Sequence, residues 1–95
     1  MKNFRWNPDK NIYLKSERGV SFEEVVLAIE TDGIVDVIRH PNPEKYPNQR
    51  IFVIAIKNYA YLIPFVEETD CYFLKTIIPS RKATRDYLKK VPYEQ

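Results

Sequence analysis

"IFVIAIKNYAYLIPFV", residues Ile51–Val66, decides the fold. Two apolar runs, Ile51–Ile56 and Tyr59–Val66, flank the dipeptide Lys57-Asn58. Two residues between two strand-like runs is the spacing of a β-hairpin, although Lys-Asn is a weaker turn pair than Asn-Gly. Ile51–Ile56 is apolar at every position, and most of Tyr59–Val66 is too, so these strands expect cover on both faces. Pro64 has no N–H to give a ladder and demotes part of its run to an edge or a bulge.

Downstream, Glu67–Asp70 reads as a turn and Cys71–Ile78 as a last strand. Upstream, the His40–Gln49 stretch "HPNPEKYPNQ" is a loop, because it holds three prolines and two asparagines. Ile34–Ile38 alternates as a strand after an Asp32-Gly33 turn. Ser21-Phe22-Glu23-Glu24 is a capping box for a helix running to about Thr31, with Phe22, Val25, Ala28 and Ile29 at helical spacing. Val20 is placed to staple against Val25. Asn7-Pro8 opens an earlier helix that Gly19 stops. Ile12, Tyr13 and Leu14 are consecutive in it and do not repeat at helical spacing. Phe4-Arg5-Trp6 reads as a short edge strand. The order β-α-α-β-β-β-β-α predicts an α+β fold, in which a small antiparallel β-meander packs against two N-terminal helices and a C-terminal helix. If those helices cover one face only, the other face belongs to a ligand or a partner.

Ninety-five residues make one domain, residues 1–95. At 44% hydrophobic and 29% charged the chain is globular rather than disordered. Cys71 is the single cysteine, which excludes an intrachain disulfide, and no Cys/His cluster suggests a metal site. It reads as a buried or half-buried thiol rather than a nucleophile. The stretch MKNFRWNPDK lacks a signal-peptide core and no apolar run is long enough to span a bilayer, so no membrane partner and a cytoplasmic location are expected. Net charge is +2 but uneven. Ser21–Asp36 holds five acidic residues and no basic one, whereas Lys75–Gln95 holds six basic residues against two acidic. That polarity points to an anionic partner at one end, or simply to two solvated helix faces.

"TIIPSRKATRDYLKK", Thr76–Lys90, carries the chemistry. Ser80 is a good N-cap for a helix from Arg81 to about Lys90, with Ala83, Tyr87, Leu88 and Val91 on its apolar side. A helix N-terminus favours acids, yet this first turn holds Arg81 and Lys82. Arg81 and Arg85 are four apart, and guanidinium groups there can grip a phosphate through two bonds. The plain alternative is an exposed basic helix partly relieved by Asp86. Arg39, His40 and Arg50 gather near one sheet end if their strands pair across the loop. His40 offers an acid or base near neutral pH, or is a solvated loop residue. Glu44 is a second, weaker acid–base candidate. Lys75 interrupts an apolar strand and marks either the rim or the functional face. Tyr46, Tyr59, Tyr61, Tyr72 and Tyr87 can stack on bases or simply pack half-buried strands. No dinucleotide, P-loop, zincin, EF-hand or hydrolase-elbow element occurs, so no cofactor or metal is expected.

Three stretches, "FRWNPDKN" (Phe4–Asn11), "RGVSFEEV" (Arg18–Val25) and "IIPSRKATRDY" (Ile77–Tyr87), together resemble the BrnT-like toxins of type II toxin–antitoxin systems over nearly the whole chain. The resemblance implies a RelE-like fold and an endoribonuclease that cuts RNA. It implies a cognate antitoxin that neutralises the toxin and alone contacts operator DNA. The family's functional basic positions carry over to Arg50, Arg81 and Arg85. Asn7 stands where the family has Asp, and Arg18 where many members have His. The His40–Gln49 loop is longer and richer in proline than the pattern.

The expected mechanism is metal-independent. The RNA's own 2′-OH attacks the neighbouring phosphate, and the protein supplies a base, a cationic clamp and an acid. Arg50, Arg81 and Arg85 are the clamp, with Lys75, Lys82 and Arg39 as further RNA contacts. His40, Glu44 or Lys75 serves as acid or base. One rival is a non-catalytic RNA- or protein-binding module of the same fold. Another is an interaction protein whose apolar sheet face forms a homodimer.

Overall fold

The computed structural model describes residues 3–88. In chain order these form β1 (Asn3–Arg5), α1 (Pro8–Arg18), α2 (Phe22–Glu30), β2 (Ile34–Arg39), β3 (Gln49–Ile56), β4 (Tyr59–Glu67), β5 (Cys71–Leu74), β6 (Ile78–Pro79) and α3 (Arg81–Ala83). A π-helical turn, Thr84–Leu88, continues α3 without a break. The fold is α+β. The expected run of the last helix to Lys90, and Val91 on its apolar side, lie outside the described residues.

The hairpin is the centre of the sheet. β3 and β4 pair antiparallel from Gln49·Val66 to Ile56·Tyr59. Lys57 and Asn58 both have positive φ, 53° and 64°, which is the backbone of a tight turn whose twist matches the strands. The strand order is β1-β5-β4-β3-β2. β2 to β5 are the expected antiparallel meander. β1 joins β5 in parallel, so the sheet is mixed rather than purely antiparallel.

The expected strand Cys71–Ile78 is divided. Phe65 faces Leu74, yet Leu62 faces Ile78, so three steps on β4 meet four on the other side. The extra residue bulges out next to Pro64, whose carbonyl still accepts the Lys75 N–H at 2.8 Å. Pro64 lies in a central strand, so of the two outcomes its sequence allowed, the bulge is the one realised.

The helices do not share one face, contrary to the one-sided cover that the sequence left open. Side chains alternate along β3 and β4. Phe52, Ile54, Ile63 and Phe65 meet Leu14, Val20, Phe22, Val25 and Ile29 from α1, α2 and the link between them. Val53 and Ala60 point the other way and meet Ala83, with Leu62 and Leu88 beside them. Both faces of the hairpin are therefore covered, which is why its strands are apolar at nearly every position. β2 has no such cover. Its alternation predicts a buried face, but five of its six residues are exposed, because among the described residues only Tyr87 of the π-helical turn reaches that edge, at Asp36.

The helix ends follow the sequence closely. Asn7 Oδ1 accepts the N–H groups of Asp9 and Lys10, and Gly19 closes α1 at φ 70°. Only Leu14 of α1 is buried; Ile12 and Tyr13 are 69% and 56% exposed. Ser21 and Glu24 form the capping box. Asn11 adds a clamp across the two helices: its Oδ1 accepts the Phe22 N–H at 2.7 Å and its Nδ2 donates to Glu23 at 2.7 Å.

Candidate functional site

At the loop end of the sheet, Arg39 of β2 lies directly opposite Arg50 of β3. The flanking pair, His40 and Gln49, carries the hydrogen bond, so Arg39 and Arg50 form the closer, non-bonded type of cross-strand pair. Like charges directly opposite are unfavourable. Arg50 is steadied on two sides: its Nη2 stands 2.5 Å from Glu67 Oε1, and its guanidinium lies 5.3 Å from the Phe65 ring. Phe65 in turn stacks on Phe52 at 4.0 Å. Arg39 is exposed and has no ion-pair partner among the described residues.

These two arginines line an open cleft of about 410 Å³ with Glu67, Glu68, Asn48 and Pro47. Glu67 and Glu68 fall in the stretch that reads as a plain turn, so sequence reasoning missed them. Their placement depends on the register of β3 with β4, which puts Glu67 one step beyond Val66 and its partner Gln49. Cys71 sits behind this turn, buried, with its thiol 3.2 Å from Glu68 Oε1. Burial first, and then the Glu68 carboxylate, push the Cys71 thiol up from its ordinary value, so it is not an activated nucleophile.

The loop between His40 and Gln49 is ordered around Asn42. Asn42 N–H donates to His40 Nδ1 at 3.0 Å, which leaves the proton of the neutral ring on Nε2. His40 packs on Tyr46 at 4.4 Å, just beyond the cleft lining. Glu44 is exposed and is not among the residues that line the cleft.

Arg81, Lys82 and Arg85 are elsewhere. Thr84, 2% exposed, accepts the Ala60 N–H and donates to the Ser80 carbonyl, both at 2.8 Å, while Ser80 N–H donates to Ala60 C=O. This fixes the segment beside the Lys57-Asn58 end of the hairpin, on the face away from α1 and α2. Arg50, over Phe65, is on the opposite face and five residues along β4, about 17 Å at 3.4 Å per residue. The structure brings Arg39 and Arg50 together and does not bring them to Arg81 and Arg85. Asp86 pairs with Lys82 at 2.6 Å and with Arg85 at 3.5 Å. Lys82 foremost holds the Asp86 carboxyl below its ordinary value. Lys75 stands at the bulge with its ammonium 5.8 Å from the Phe73 ring.

Comparison with protein-family models, with curated proteins and with solved structures gave no match. Among the described residues no three His, Cys, Asp or Glu side chains converge as metal ligands, and no helix is long and apolar enough to cross a membrane.

Proposed function

We propose that this chain is an RNA-cleaving toxin of a type II toxin–antitoxin pair, with a RelE-like fold, acting in the cytoplasm and neutralised by a cognate antitoxin. The observation that carries this reading is the Arg39·Arg50 pair at the rim of a cleft whose other charged groups are carboxylates. Two guanidinium groups held against their own repulsion are what a pentacoordinate phosphate dianion needs. Glu67 and Glu68 are carboxylates of the kind that can take a proton from a 2′-OH. His40 Nε2, the ring nitrogen that the Asn42 contact leaves free, can donate a hydrogen bond to the leaving 5′-oxygen. The three stretches that resemble BrnT-like toxins, and the β-α-α-β order with both N-terminal helices on one sheet face, support the same assignment.

The test uses purified protein and a labelled single-stranded RNA with EDTA present, beside Arg39→Ala and Arg50→Ala. The expected result is fragments ending in 2′,3′-cyclic phosphate from the wild type, reduced by about 10²–10³ in rate in each variant. RNA bound but recovered whole by the wild type would replace this reading with the non-catalytic binding module. Neither binding nor cleavage would remove RNA from the account altogether.

A further inference from the structure

β2 is the outermost strand at one end of the sheet. Its ladder to β3 runs through alternate residues: His40 N–H donates to Gln49 C=O at 3.3 Å, and Ile38 and Asp36 continue the same phase opposite Ile51 and Val53. In an antiparallel ladder the residues between them turn N–H and C=O outward. Val37 and Arg39 therefore present the free edge. Edges of this kind are normally blunted by charge, proline or a bulge. Here Ile34, Val35, Val37 and Ile38 are large, β-branched and 37–40% exposed. The strand shifts register between Ile34 and Asp36.

Asp36 occupies the middle of that edge. Its Oδ1 accepts the outward Val37 N–H at 2.8 Å, and its Oδ2 accepts the Tyr87 hydroxyl at 2.6 Å. The one carboxylate on the strand is thus seated on the central edge donor, and a residue 51 positions away holds it there.

We propose that Asp36, held by Tyr87, keeps the outer edge of β2 closed in the single chain, and that releasing Asp36 lets this edge pair with β2 of a second copy. The edge is self-complementary. A two-fold axis normal to the sheet through Ile38 sets Ile38 against the partner's Ile38, Val37 against the partner's Arg39 and Asp36 against the partner's His40. Released by Asp36, the Val37 N–H donates to the carbonyl of the partner's Arg39, and the carboxylate meets an imidazole at both ends of the pairing. The register centred on Asp36 sets two carboxylates face to face, which like-charge repulsion disfavours. The apolar surface that Ile34 and Ile38 leave exposed in the single chain lies along the edge that pairs.

Sedimentation of the full chain tests this with the wild type, Tyr87→Phe and Tyr87→Phe/Ile38→Lys over a concentration series. The wild type is expected at single-chain mass. Tyr87→Phe keeps the carboxylate and removes its outside hold. It is expected to self-associate at least about tenfold more tightly, and Ile38→Lys to return it to single-chain mass. Tyr87→Phe no more associated than wild type, or a dimer that survives Ile38→Lys, overturns the proposal. A wild type already dimeric at the lowest concentration overturns it too. Hydrogen exchange at the Val37 amide at least about tenfold faster in Tyr87→Phe supports the closed edge, and unchanged exchange overturns it.

Discussion

Thr84 is buried among apolar neighbours, and its hydroxyl is used twice, once as acceptor and once as donor. It takes the place of a strand residue beside Ala60 at the point where the chain leaves β6 for α3. Thr84→Val keeps the shape and removes both bonds, leaving a buried Ala60 N–H without an acceptor. That variant is expected to lose about 1–3 kcal/mol in urea unfolding, whereas Thr84→Ser keeps both bonds and loses less. A Thr84→Val chain as stable as the wild type would mean that the segment is held by Ala83 and Leu88 packing alone. The sequence gives little sign of this role. Read as a helix face, positions Ala83, Tyr87 and Leu88 look apolar and Thr84 looks incidental; the bond between Ser80 N–H and Ala60 C=O, one helical turn earlier, is what sets Thr84 against the sheet. Tyr87, expected on the apolar side of this helix, lies within the π turn at a 40% exposed position on Asp36.

The hairpin and the helix caps are elements whose reading from sequence holds, because their signals are local. Lys57 and Asn58 carry positive φ values that β-carbon-bearing residues adopt only at a cost. Lys57→Asn/Asn58→Gly supplies the preferred pair for this turn and is expected to stabilise the chain by about 1 kcal/mol, read as a higher urea midpoint at unchanged slope. The cap of α2 makes a pH prediction. Glu24 accepts the Ser21 backbone N–H at 2.9 Å, and that bond is the main reason its carboxyl lies below its ordinary value of 4.5. A lowered folded value means that the unfolded chain takes the proton first as pH falls. The contribution is therefore present above about pH 4.5 and is lost as pH falls through the lower folded value. The stability gap between wild type and Glu24→Gln is expected to narrow from about pH 6 to about pH 3, and a gap constant over that range would assign it to packing instead. Tertiary features were less legible. The parallel pairing of β1, the division of β5 from β6 and the exposed β2 depend on what lies beside each strand, which alternation within the strand does not encode.

At the scale of the molecule, the stretches that resemble the toxin family are joints as well as candidate chemistry. Asn11 of the first ties down the start of α2, Arg18 of the second donates to the carbonyl of Ile77 in the third, and Thr84 of the third docks on the central hairpin. Motifs that fasten an architecture together report the fold more directly than the site. This explains why the sequence locates Arg50 and Arg39 near one sheet end but wrongly gathers Arg81 and Arg85 with them. Pairing across the loop is set by β2 and β3, whereas the position of Arg81 is set by where Ser80 meets Ala60.

Two basic regions about 17 Å apart along the strand, on opposite faces, cannot clamp one phosphate. They can still contact different phosphates of one strand. Cleavage and binding should therefore separate. Arg39→Ala is the cleaner probe of the cleft, since removing this exposed cation orphans no carboxylate among the described residues. It is expected to cut the single-turnover rate by about 10²–10³ at saturating RNA. Arg81→Ala/Arg85→Ala is expected to leave that rate within about tenfold, while flattening the dependence of log affinity on log salt by up to about 1.4, the release expected for two contacts on a single strand. The opposite pattern, with cleavage lost on removing Arg81 and Arg85 and kept without Arg39, would move the reacting phosphate to the far end of the sheet. Glu67 and Glu68 would then be too distant to act as the base, and a new one would have to be sought beside Asp86.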